Sequence, residues 1–314
     1  RGAGKVTIQK PKISNTPYVV EDSREGWVEL IRVTLNPYVG IGELHEVVDY
    51  SQIRPEGAPL KTFGGVASGY KPLDVLRCSI IELLDAHEGK PISTTVISDI
   101  FNMIGKCVVS GNIRRSSEIA MGFPDDAEFV ALKDPTPKRG LRAQQDEILA
   151  RNVAYTTAKA RVQELKAARK EYSVLSDEYV TLTDQIDAEE ATMSSIFWAD
   201  SDILALEEKI YALPQERWRW ASNNSIFAEL DKPIPASIVE STVQNGEPGY
   251  MWLDVSRRYG RLVDPPTDVD QNILLPNPCG EIGLHNSELC NLSELFPTNH
   301  ETLEDFLATI KVAY

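Results

Sequence analysis

The sequence predicts a mixed α/β fold interrupted by one long helical segment, and three observations predict it. The flanking regions alternate short apolar runs, helical periodicities and glycine- or proline-rich turns. Residues 141–213 contain neither glycine nor proline. Within that stretch apolar residues recur at steps of three and four, the spacing of a helical seam.

Taken in chain order, an amphipathic helix is expected over 22–35, with Asp22 or Ser23 as its N-cap. A glycine- and proline-rich loop comes next at 54–72, then a helix over 72–85. Another helix begins after Ser93, a capping hydroxyl, and runs toward Gly105. Cys107-Val108-Val109 reads as a short buried strand and Gly111-Asn112 as the turn leaving it. In the long segment Tyr155, Ala158, Val162, Leu165, Ala168, Tyr172, Leu175, Tyr179, Leu182 and Ile186 form a heptad-like seam. Asp200-Ser201-Asp202 caps a second helix carrying Ile203, Leu206, Ile210 and Leu213. The segment is therefore a long antiparallel hairpin or a helix awaiting a partner. Strands are expected over 218–227 and 250–254, a turn-rich stretch over 264–277, and a final helix over 301–313. These features divide the chain into 1–133, a helical insertion over 134–214, and 215–314.

Bulk properties narrow the function. The net charge of −15 argues against a broad electrostatic grip on nucleic acid, so a polyanionic small substrate would need local help from helix N-termini or a few arginines. No apolar run is long enough for a membrane span, and the expected compartment is the cytoplasm. Four cysteines, Cys78, Cys107, Cys279 and Cys290, are too few to staple 314 residues, so each must be explained by packing, metal or chemistry. Cys78 lies mid-helix and Cys107 just before a loop, and packing suits both. The ends, Arg1 and Tyr314, read as cut from a longer polypeptide.

The segment richest in chemistry is Asn277-Pro278-Cys279-Gly280-Glu281-Ile282, with Glu288-Leu289-Cys290-Asn291-Leu292 downstream of it. A thiol two residues from a carboxylate can face one substrate from one side of an extended loop. On spacing alone, a cysteine merely buried in a loop beside a chance carboxylate is the simpler reading. A zinc site is disfavoured because no second Cys/His pair stands at ligand spacing. Arg114 and Arg115, after Gly111-Asn112, suit phosphate or base-edge acceptors, or else form an ordinary surface pair. The four histidines are scattered and receive no role; His285, nearest the loop, reads as loop surface.

The Asn-Pro-Cys-Gly-Glu segment with its downstream Glu-Leu-Cys-Asn-Leu-Ser-Glu resembles the finger loop of class II ribonucleotide reductases, especially the monomeric ribonucleoside-triphosphate type. Class I relatives usually carry leucine in place of Pro278 and a different residue at Gly280. Further blocks resemble the family in order: Val20 to Trp27, Ile53 to Gly57 with Thr62 to Gly69, Met103 to Ser116, Trp220 to Ser225, and Asn245 to Gly249. The helical hairpin is the part the resemblance leaves out.

The resemblance implies a ten-stranded α/β barrel with a central finger loop, and adenosylcobalamin as cofactor. By it, Cys279 carries the thiyl radical that abstracts the substrate 3′-hydrogen after a 5′-deoxyadenosyl radical has taken its own hydrogen. Glu281 is the general base on the 3′-hydroxyl, Asn277 holds the substrate, and Cys290 is one of two reducing thiols. Gly111, Asn112, Arg114, Arg115 and Ser116 fall in the loop linking effector and substrate sites. Partners implied are a ribonucleotide substrate, a deoxyribonucleotide effector and a thioredoxin-type reductant. Neither Cys78 nor Cys107 matches the family's second redox cysteine, and most of the cobalamin site is expected outside this chain, which should not turn over alone. A class I large subunit is the nearest alternative, opposed by Pro278 and Gly280. A non-catalytic interaction protein built on the 141–213 hairpin is the other, opposed by the intact Asn277, Cys279, Glu281 and Cys290. The hairpin itself is an inert surface arm, or a docking arm whose apolar seam seeks a helical partner.

Overall fold

A computed structural model describes residues 4–60, 65–110, 117–259, 266, 268, 270–291 and 293–313. Its first part is built on three helices and two small parallel pairings. Strand β1 (Ile13–Ser14) pairs with β3 (Leu44–His45), and β2 (Tyr18–Val19) with β4 (Val48–Asp49). Helix α1 (Arg24–Leu35) starts as expected: the Ser23 hydroxyl accepts from Gly26 N at 2.9 Å, satisfying one otherwise orphaned donor. Helix α2 (Lys71–Asp85) buries Leu73, Leu76, Ile80 and Leu84, and α3 (Thr94–Val109), capped by Ser93, buries Val96, Ile100, Met103 and Cys107. These stripes meet Leu30, Tyr38 and Trp218 in one core.

Two expectations fail here. Cys107-Val108-Val109 is the last turn of α3, not a strand. The Val96, Ile100, Met103, Cys107 periodicity runs straight through Gly105, and a Cβ at that position would come within 2.6 Å of the Glu118 carboxylate. Cys78 is exposed, not packed. It follows buried Arg77 in the chain and lies between Leu76 and Ile80 of the buried stripe. Cys107 is buried as expected, and burial pushes its thiol up to about 11.

The second core lies under a three-stranded parallel sheet. Strand β5 (Glu118–Gly122) leads to α4 (Ala127–Val130) and then to the helical segment. The chain returns to β6 (Ser222–Ala228), which pairs directly with β5, Glu118 opposite Ser222 and Gly122 opposite Ile226. The helical segment is thus the crossover that a parallel pair requires. After α10 (Ala236–Asn245), strand β7 (Gly249–Trp252) joins the far side of β6, and α11 (Leu253–Tyr259) comes directly after it. Phe129, Leu132, Ile226 and Ile238 fill the core between sheet and helices. The described residues give this mixed helix-and-sheet arrangement, and their sheets are small.

The crossover is a hairpin whose arms are each broken once. Its helices are α5 (Thr136–Arg151), α6 (Val153–Arg169), α7 (Asp177–Ala199) and α8 (Ser201–Ala212), with the short α9 (Pro214–Arg217) leading back. Asn152 and Asp200, both extended, interrupt the two arms and serve as N-caps of α6 and α8; Asp200 Oδ1 accepts from Asp202 N and Ile203 N. The expected seam holds at Ala158, Val162, Leu165 and Ile186, which are buried. It does not continue through Tyr172 and Leu175: Leu175 is 92% exposed, because the chain reverses there. Helices α6 and α7 share their own small core and the Lys166–Glu190 pair, at 2.6 Å. Removing Val153–Ala199 from the full-length protein and joining α5 to α8 by a short Gly/Ser linker should therefore shift the melting temperature by no more than about 5 °C. Loss of soluble protein would mean that the distal arm supports the rest of the fold.

Candidate functional site

Strands β8 (Leu275–Pro276) and β9 (Gly283–Leu284) pair antiparallel, Leu275 with Leu284 and Pro276 with Gly283, so residues 277–282 form the tip of a hairpin. Ile273, 1% exposed, sits beneath Gly283, where a Cβ would come within 2.6 Å of its Cδ1. The tip closes on itself. Asn277 N donates to Ile282 O at 2.9 Å, Gly280 N to Asn277 O at 2.9 Å, and Ile282 N to Asn277 Oδ1 at 3.0 Å. Gly280 has φ +86°, a left-handed conformation that glycine adopts without penalty.

Asn277 is the hub of this tip. It is 3% exposed, and its Nδ2 donates to Glu281 Oε1 at 2.7 Å and lies 3.4 Å from Cys290 Sγ. One amide thus joins the carboxylate to the downstream thiol. Cys279 is exposed and Cys290 half-buried. His285, expected as loop surface, is a strap: its Nε2 lies 2.7 Å from Asp270 Oδ1, and its backbone N donates to Glu288.

The loop docks on the sheet through Asn223 of β6, whose Nδ2 donates to Pro278 O at 3.2 Å. Between them lies a cavity of about 450 Å³. Ile119, Asn223, Asn224, Ser225 and Tyr250 line it from the sheet, Gly246 and Glu247 from the turn before β7, and Cys279 and Glu281 from the loop. A volume of this order takes a small organic molecule. An exposed thiol and a carboxylate on one wall can exchange a hydrogen atom and a proton with whatever occupies it.

Of the residues singled out in the sequence, the structure brings Asn277, Glu281 and Cys290 into one hydrogen-bonded group and places Cys279 with Glu281 on the cavity. Gly111, Asn112, Arg114, Arg115 and Ser116 lie outside the described residues. Missed at that level were Asn223 and Glu247, both inside resemblance blocks but without assigned roles, and Lys133, which had no signal at all. Among the described residues no group of three or more His, Cys, Asp or Glu could hold a metal, and no helix is long and apolar enough to cross a membrane.

Residues 3–84 match the family model described as the B12-dependent ribonucleotide reductase insertion domain. A probable adenosylcobalamin-dependent ribonucleoside-triphosphate reductase of Dictyostelium discoideum is 36% identical over 298 residues, 95% of this chain and 29% of the relative. An adenosylcobalamin-dependent ribonucleoside-triphosphate reductase of Euglena gracilis is 35% identical over 311 residues, 98% of this chain and 32% of the relative. The crystal structure of a B12-dependent (class II) ribonucleotide reductase matches with a TM-score of 0.57 and 28% identity, covering 90% of this chain and 29% of that one. The chain therefore spans about three-tenths of the length of these relatives. The helical crossover, expected to lie outside the resemblance, falls within the aligned span.

Proposed function

We propose, for a chain homologous to a segment of the adenosylcobalamin-dependent (class II) ribonucleotide reductases, that it supplies the substrate-facing loop of an enzyme converting ribonucleoside triphosphates to 2′-deoxyribonucleotides. The observation that carries this reading is the cavity itself, with an exposed thiol and a carboxylate on one wall and Asn277 tying that carboxylate to a second thiol.

Each residue then has a task. Cys279 Sγ exchanges a hydrogen atom with C3′ of the ribose. Glu281 takes the proton of the 3′-hydroxyl as the 2′-hydroxyl leaves as water. Asn277 fixes the Glu281 carboxylate toward the cavity. Cys290 gives one of the two thiol hydrogens consumed, and the two sulfurs end as a disulfide, so that substrate plus dithiol becomes deoxynucleotide, water and disulfide. Its partner is neither Cys107, sealed in α3, nor Cys78, on the outer face of α2, and a thioredoxin-type dithiol restores the pair. Adenosylcobalamin, when bound, supplies the one-electron oxidising equivalent that removes the Cys279 hydrogen. The exposure of Cys279 fits that cofactor, because a thiol that yields its hydrogen to a group bound elsewhere must be reachable.

In this reading β5, β6 and β7 are an arc of the family's ten-stranded barrel and 277–281 is its central loop. The divisions at 133 and 214 separate the crossover from its flanks, and residues 3–84 are the insertion domain. The loop Gly111 to Ser116 links a deoxyribonucleotide effector to the substrate, and the compartment is the cytoplasm. The test is the full-length protein with a ribonucleoside triphosphate and a dithiol, with and without adenosylcobalamin. Deoxynucleotide should form only with the cofactor. Turnover that instead requires a separate radical-generating subunit would move the protein to class I.

A further inference from the structure

We infer that Glu247, held by Lys133, is a second substrate-binding carboxylate of the cavity, accepting a hydrogen bond from a hydroxyl or amino donor on the nucleoside part of the nucleotide. This rests on the reading of the cavity as the nucleotide site, and adds to it a residue outside the finger loop.

Glu247 belongs to the turn between α10 and β7 and lines the same cavity as Cys279 and Glu281. Its Oε2 is sealed from solvent and stands 2.7 Å from Lys133 Nζ, while the side chain as a whole keeps 24% exposure. Oε2 makes no hydrogen bond of good geometry among the described residues, so the contact is an ion pair only, and the exposure of the side chain lies away from that oxygen. Lys133 is itself 14% exposed, and its ammonium also donates to the Ser222 carbonyl at the head of β6. Its own carbonyl accepts from Asn245 Nδ2 at 2.9 Å. The turn is held from α10 as well: Ser241 Oγ donates to Glu247 O at 3.1 Å, and Gly246, at φ +78°, donates to Thr242 O at 2.8 Å. A side chain kept only for solubility would not have its cation partner nearly buried and its backbone tied on both sides.

The chemistry of the group narrows what it meets. An ionised carboxylate accepts hydrogen bonds and donates none, and it repels phosphate oxygens. It therefore faces the donor-bearing nucleoside rather than the triphosphate. Glu281 is the carboxylate beside the thiol; Glu247 binds, and Lys133 is its positioning residue.

The experiment compares wild-type full-length enzyme with Glu247→Gln, Glu247→Asp, Lys133→Met and Lys133→Arg, using a ribonucleoside triphosphate as probe. It reads KM, kcat, equilibrium Kd and melting temperature. Glu247→Gln should raise KM and Kd roughly tenfold or more while kcat stays within about threefold, the signature of lost uniform binding. Lys133→Met should weaken binding in the same sense, and Lys133→Arg should recover most of that loss. Should Glu247→Gln not fold, Glu247→Asp, which keeps the charge on Lys133 but withdraws the carboxylate by one methylene, reads the same contact. Unchanged KM and Kd in a folded Glu247 variant, with or without a fall in melting temperature, would reduce the pair to a structural staple and overturn the inference. Wild-type protein that neither binds nor reduces the triphosphate would overturn the reading of the cavity instead.

Discussion

Cys279→Ser in the full-length enzyme should abolish nucleotide reduction, a loss of at least about 10⁴-fold, while substrate Kd and melting temperature stay near wild type. The side chain is exposed at the tip of a loop whose hydrogen bonds run through Asn277, Gly280 and Ile282. Replacing sulfur by oxygen there disturbs no packing. What it removes is a hydrogen that can be abstracted, because the serine O–H bond is too strong to take part in hydrogen-atom transfer.

Cys290→Ser should behave differently. Cys290 is half-buried behind Asn277. Under the proposed mechanism, its loss should leave the Cys279 step in place but withhold one of the two hydrogens that complete the reduction. Cofactor-dependent exchange of the 3′-hydrogen, or release of free base, should persist while multiple turnover stops. The split between the variants is the informative result. Full multiple-turnover activity in Cys290→Ser with a thioredoxin reductant would remove Cys290 from the redox role.

What the sequence made legible was local, and what it hid was long-range. Ser23 and Ser93 cap helices because a hydroxyl three residues before a free N–H is a contact within one turn. The crossover was visible because helical periodicity without glycine or proline needs no knowledge of neighbours. The strand reading of Cys107 to Val109 failed for the opposite reason. Three apolar residues after Gly105-Lys106 suit either element, and what continues the helix is the burial of Cys107 with Val96, Ile100 and Met103 in the first core. Cys78 was misplaced because an apolar residue in an apolar helix need not face inward. At the site, Asn277, Glu281 and Cys290 were legible as candidates through resemblance. Their linkage through a single amide was not, nor was the pairing of Lys133 with Glu247, which joins residues more than a hundred positions apart.

Arg219→Ala should be the most destabilising single substitution among the residues discussed, by about 3–5 kcal/mol. Asp99 lies on α3 and is 2% exposed. Arg219 Nε and Nη2 donate to its two oxygens at 2.6 and 2.8 Å, and Trp218 Nε1 donates at 2.8 Å. The third guanidinium nitrogen donates to Leu132 O at 2.6 Å. One arginine thus ties α3, the end of the α4 region and the entrance to β6. Its removal leaves a buried carboxylate with a single indole donor. Arg219→Lys, which keeps the charge but not the planar fork, should fall between alanine and wild type. The double replacement Asp99→Leu/Arg219→Met should be milder than Arg219→Ala alone, since no charge is stranded. Thermal and urea unfolding of the full-length variants decide it, and an Arg219→Ala protein within about 1 kcal/mol of wild type would show that the pair carries little. The catalytic consequence comes from geometry. Asn223, which holds the 277–282 loop through Pro278 O, stands four residues after Arg219 on the same approach. Loosening that approach should raise KM and lower kcat together, whereas Cys279→Ser removes chemistry from a protein whose stability is unchanged.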